Sequence, residues 1–65
     1  MEEKLLKHLL KEYKEKERSL QESLGSGGAT DFAAYQNMCG QIKGLVYAQS
    51  IINDLLRRVE QMNDE

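Results

Sequence analysis

Two side chains in this 65-residue chain have the chemistry to act on a substrate or hold a metal, His8 and Cys39. His8 is the single histidine, set beside lysine, with no second histidine or cysteine at ligand spacing. Zinc sites take three or four such ligands, so no metal is expected there. Cys39 stands between Met38 and Gly40 in an apolar stretch with no base in helical reach. A thiol without a base to take its proton reads as a small core residue rather than a nucleophile. One cysteine also excludes an internal disulfide and fits a reducing compartment. The run Gly25-Ser-Gly-Gly lacks the Lys-Ser/Thr ending of a phosphate-binding loop and reads as a linker. Asp54, Arg57 and Arg58 make a small charged patch, read most simply as an Asp54–Arg58 pair on a solvent face. Phe32, Tyr35 and Tyr47 with Lys43 have the residue types of a base-stacking platform, but in one acidic chain they read as core and rim. No catalytic, cofactor-binding or metal-binding residue is assigned, and the chain is read as a non-enzyme that takes no small-molecule substrate.

The elements that carry these residues are helices. With 31% charged residues, no proline and no tryptophan, the composition suits long helices and no strand. From Phe32 to Met62, the positions Ile42, Leu45, Ile52, Leu56 and Val59 recur at three- and four-residue steps, with Met38 before them and Gln49 in the one gap. That is the spacing of a helix burying one face. A second set, Tyr35, Cys39, Val46, Ala48, Ile51, Leu55 and Met62, lies off the stripe and widens the apolar surface beyond the need of one partner helix. The segment from Glu2 to Leu24 repeats the pattern with Leu6, Leu10, Tyr13, Leu20 and Leu24, interrupted at Glu17 and thickened by Leu5 and Leu9. Six acids and six bases alternate along it and cancel, as on a solvated helix face, with Glu3–Lys7 and Glu12–Lys16 in the favourable acid-first order.

Between the two stripes lies Gly25-Ser-Gly-Gly-Ala-Thr30. Gly25 suits the left-handed position that ends a helix, and either Thr30 or Asp31 can cap the next one. A connection this short joins antiparallel neighbours. The predicted architecture is all-α: one antiparallel two-helix hairpin, with helices at about 2–24 and 31–62 and a turn at 25–30. The polar residues after Met62 are expected to fray.

Laying the hairpin out with its turn centred near Gly27 and Gly28 makes residues whose numbers add to about 55 face each other. Gly40, Gly44 and Ala48 then form a ridge of small residues, and an internal glycine costs about 1 kcal/mol, so close helix packing against Tyr13 and Leu10 is expected there. In the same layout the longer second helix overhangs at the open end by about 12 Å. Leu55, Leu56, Val59 and Met62, extended by Leu5 and Leu9, are therefore expected to form an interface for a protein partner or a second copy.

The pattern Gly40-x-Ile42-x-Gly44-Leu45-x-x-Ala48-x-x-Ile51-x-x-Asp54-Leu55-Leu56, preceded by Asp31-Phe-x-x-Tyr35, resembles the second helix of small helical accessory proteins of tailed bacteriophages. The resemblance covers about 26 residues and transfers no catalytic residue. It implies a non-enzymatic structural or interaction protein of the virion, docking on a larger head or portal protein or associating with itself. The alternative is a regulatory hairpin, a dimeric four-helix bundle that binds a host enzyme or nucleic acid. A net charge of −2 weighs against nucleic acid. The N-terminus lacks the apolar core of a signal peptide, and Gln41, Lys43, Gln49, Asn53 and Asp54 interrupt any spanning stretch, so a soluble protein of the virion or host cytoplasm is expected.

Overall fold

A computed structural model describes residues 2–63 of the chain. Two helices, α1 (Glu2–Gly25) and α2 (Phe32–Asn63), pack along each other as an antiparallel hairpin about 52 Å long. There is no strand among the described residues. The fraying expected after Met62 concerns Asp64 and Glu65, which lie outside them; α2 itself runs on to Asn63.

The turn is built from specific backbone bonds. The Gly28 N–H donates to the Ser23 carbonyl at 2.7 Å and the Gly27 N–H to the Leu24 carbonyl at 3.3 Å, the paired bonds of a Schellman motif. The left-handed residue of that motif is Gly27, with φ of 86°, rather than Gly25, through which the helix continues. Gly28 is needed for another reason, because a Cβ there would sit 2.7 Å from the Ser23 carbonyl oxygen. At the start of α2, Asp31 Oδ1 accepts the Ala34 N–H at 2.7 Å. Asp31 is thus the N-cap, which decides between it and Thr30.

The two stripes meet as a heptad seam. Written as abcdefg, α1 places Glu3, Leu10, Glu17 and Leu24 at a and Leu6, Tyr13 and Leu20 at d. In α2, Ile42, Gln49 and Leu56 take a, and Met38, Leu45, Ile52 and Val59 take d. Every one of these is half-buried or buried. The polar gaps in the two stripes find each other: Gln49 Nε2 donates to Glu17 Oε1 at 2.7 Å, while Gln21 Nε2 donates to Glu17 Oε2 at 2.8 Å.

That contact corrects the expected register. The numbers of Glu17 and Gln49 add to 66, not 55, and the charge of Glu60 acts on Lys7 in the same frame. The connection carries the chain past the end of α1 before α2 begins, so the excess length of α2 lies at the turn end. Phe32 and Tyr35 occupy that end, both exposed, their rings stacked with centroids 6.5 Å apart. At the open end α2 is covered by α1. Ile52 (7% exposed) and Leu56 (6%) are the buried core among the described residues, and no large side chain is closed off completely.

Candidate functional site

With the register fixed, the expected site residues separate into three groups. Leu10, Tyr13 and Ala48 are half-buried. Leu10 and Tyr13 belong to the seam, whereas Gly40 and Gly44 are exposed, and a Cβ on either would meet nothing within 4 Å. Close packing of the helices on a glycine ridge is therefore overturned within the hairpin. The seam passes through Ile42 and Leu45, one heptad edge away, because the apolar side chains there fill the space between the helices.

The expected interface at the end of α2 is split by the same seam. Leu56 is core and Val59 half-buried, both facing α1. These two are withdrawn from the partner interface, since the predicted overhang at the open end does not exist. Leu55 and Met62 remain outside, 41% and 73% exposed, as do Leu5 and Leu9.

The exposed residues sort by side. Reversing one helix of a heptad pair brings e beside e and g beside g, so the hairpin has one broad e/b face and one broad g/c face. Lys7 and Glu60, both at e, interact across the pair in agreement with this. The e/b face carries Lys4, Lys7, Lys11, Lys14, Arg18, Lys43 and Arg57 against the single acid Glu60. Lys7, Lys11, Lys14 and Arg18 line an open groove floored by Leu10 with Glu15 at its edge. The signs that cancel along the sequence separate only in part across the molecule, because Glu3, Glu22 and Asp54 pair with Lys7, Arg18 and Arg57. Glu3, 2.9 Å from Lys7, accepts its hydrogen bond and holds the ammonium above its ordinary 10.5; Glu60 adds to this and partial burial opposes it.

The g/c face is different in kind. On α2 it runs Gly44, Ala48, Ile51, Leu55, Arg58 and Met62, at steps of four and three. On α1 it holds Leu5 and Leu9 near the open end, then Glu12, Lys16, Ser19 and Ser23 toward the turn. Ile51 and Leu55 line a shallow depression with Asp54 and Arg58 on its margin. A row repeating at three and four residues, exposed on an already paired helix, is a second seam without an internal partner. In the sequence Ala48, Ile51, Leu55 and Met62 lie off the main stripe; the register and the antiparallel sense define their common face.

The remaining candidates each have a local partner. His8 lies 3.8 Å from Glu12 at the surface, and no cluster of three metal-ligating side chains exists among the described residues. Cys39 is half-buried beside Tyr35, whose phenol is raised above its ordinary value by hydrogen bonding to that sulfur. Asp54 pairs with Arg57 at 2.6 Å rather than with Arg58, leaving Arg58 on the g/c face. Among the described residues no helix is long and apolar enough to cross a membrane. Compared with known proteins, the chain matches no protein-family model, no curated protein and no solved structure.

Proposed function

We propose that this chain is a non-enzymatic interaction protein, a helical hairpin that docks another helical surface on its g/c face. The observation that carries the reading is the second apolar row, Ile51, Leu55 and Met62 with Leu5 and Leu9, exposed beside a core in which, among the described residues, only Ile52 and Leu56 are buried. A chain of this size has little core to spare, and apolar rows of this kind mark protein interfaces. An apolar partner helix would bury them at about 25 cal/mol per Å2. The test is replacement of Leu55 by Asp: helix content measured by circular dichroism should hold while docking is lost. Docking that survives the change would refute the reading.

The setting we propose is a phage particle, with a head or portal protein as the larger partner; it rests on the resemblance of α2 to phage accessory proteins. Mass spectrometry of purified particles decides it, since absence of the chain from them removes the virion setting. A second reading, a regulatory hairpin gripping an acidic host enzyme or a nucleic acid, is favoured by the e/b face, where Lys4, Lys11, Lys14 and Lys43 outnumber Glu60 after Lys7, Arg18 and Arg57 are paired with Glu3, Glu22 and Asp54. Each phosphate contact to a single strand would steepen the salt dependence of binding by roughly 0.7 in log–log slope, so a labelled oligonucleotide titrated at two salt concentrations tests the nucleic-acid arm.

A further inference from the structure

The composition of the two faces selects the occupant of the g/c face. We infer that it is a second copy of this chain: two hairpins stack face to face about a twofold axis along their length, α1 of each lying antiparallel across α2 of the other. The inference rests on the docking reading above and names its partner.

Three observations carry it. The first is the distribution of size along the face. Leu5 and Leu9 of α1 and Ile51, Leu55 and Met62 of α2 all lie toward the open end, and the serines of α1 lie toward the turn with Gly44 and Ala48 of α2. A twofold along the hairpin keeps the open ends together, so in the register set by Glu17 and Gln49 Leu9 meets Leu55 and Leu5 meets Met62 of the other copy, with Ile51 under Lys16. The other twofold, which crosses the hairpin, would instead lay the leucines against Ser19 and Ser23. An isologous interface requires such self-matching, and the lengthwise axis supplies it.

The second is charge. The g/c face carries Glu2 and Glu12 against Lys16 and Arg58, two of each sign, so two copies meet without net repulsion. On the e/b face Glu3, Glu22 and Asp54 pair with Lys7, Arg18 and Arg57, but Lys4, Lys11, Lys14 and Lys43 still stand against Glu60, and a second copy there would be repelled. In the stacked pair both basic faces point outward.

The third is area. From Gly44 to Met62 the row spans roughly 27 Å at 1.5 Å per residue, on a face two helices or about 20 Å wide. That footprint gives on the order of 1,000 Å2 for the pair, the lower bound for a specific interface.

Sedimentation equilibrium of the full chain tests this. The expected result is twice the chain mass of 7.5 kDa at hundred-micromolar concentration. Leu55→Asp, and Leu9→Asp as a second variant, should raise the dissociation constant on the order of 100-fold while helicity is kept; Lys11→Glu on the basic face should not weaken the pair. For the axis, chains carrying Cys39→Ala with Leu9→Cys are mixed with chains carrying Cys39→Ala with Leu55→Cys and oxidised. A mixed disulfide is expected; efficient linkage of Leu9→Cys to Ser19→Cys instead would overturn the lengthwise axis. A monomer of wild-type chain, or a dimer indifferent to both aspartates, overturns the inference. If that monomer binds an apolar dye in a way that Leu55→Asp abolishes, the docking face stands and only its occupant is wrong. If it binds none, both fall.

Discussion

At the scale of single residues, the structure assigns glycines and polar side chains to work that their types alone leave open. Gly27 holds the left-handed corner, so Gly27→Ala should lower stability by about 1 kcal/mol, read from denaturant midpoints. Gly40 has open space around it and no need of a left-handed φ, so Gly40→Ala should raise stability by about 0.5–1 kcal/mol. The opposite sign at Gly40 would restore the close-packed ridge that the seam excludes. Glu17 and Gln49 form the polar layer of an otherwise apolar seam. Replacing both by leucine should raise the melting temperature and loosen the register, because a polar pair inside a seam fixes alignment at a cost in stability. Heteronuclear NMR of the double variant should then show more than one set of peaks for the seam. While Glu3 is ionised, the stability from the Lys7–Glu3 pair is fully present below pH 10.5, the lysine's unfolded value, and is lost as pH rises through the higher folded value. At exposed positions that loss should be small.

At the scale of elements, the helices were legible from periodicity and their pairing was not. Steps of three and four in each segment fixed the seam residues, including the two polar gaps at Glu17 and Gln49. What linked those gaps was the path of six residues between helices, and that path depends on which glycine turns left-handed. A symmetric turn with Gly25 left-handed would shift the facing pairs by about one heptad and a half and leave Leu56 uncovered, whereas the turn at Gly27 leaves Phe32 and Tyr35 uncovered. The cap at Asp31 was legible as one of two choices, because Thr30 and Asp31 both carry a suitable oxygen and only chain direction separates them. Core substitution separates the element roles: Leu56→Ala should cost about 2–4 kcal/mol, as for an aliphatic side chain deleted from a core, against less than about 1 kcal/mol in the isolated hairpin for Leu55→Ala. Thermal melts of the two variants compare them directly.

At the scale of the whole molecule, the hairpin has two unlike faces, one basic and one apolar, divided by a thin core. The sequence could not display this, since positions four and three apart mix both faces until the antiparallel sense is known. A thin core and an exposed apolar row have a common consequence under the proposed pairing: folding and docking would be coupled, and stability would depend on concentration. Leu55 and Leu56 are neighbours in sequence that belong to different surfaces, and they make the most direct test. Circular dichroism melts of wild type, Leu55→Asp and Leu56→Asp should be recorded over a hundredfold range of concentration. The expected result is a wild-type melting temperature that rises with concentration, a Leu55→Asp variant that stays helical in the cold with a melting temperature independent of concentration, and a Leu56→Asp variant that has lost its helix. A wild-type melting temperature that does not move, or two aspartate variants that behave alike, would contradict it.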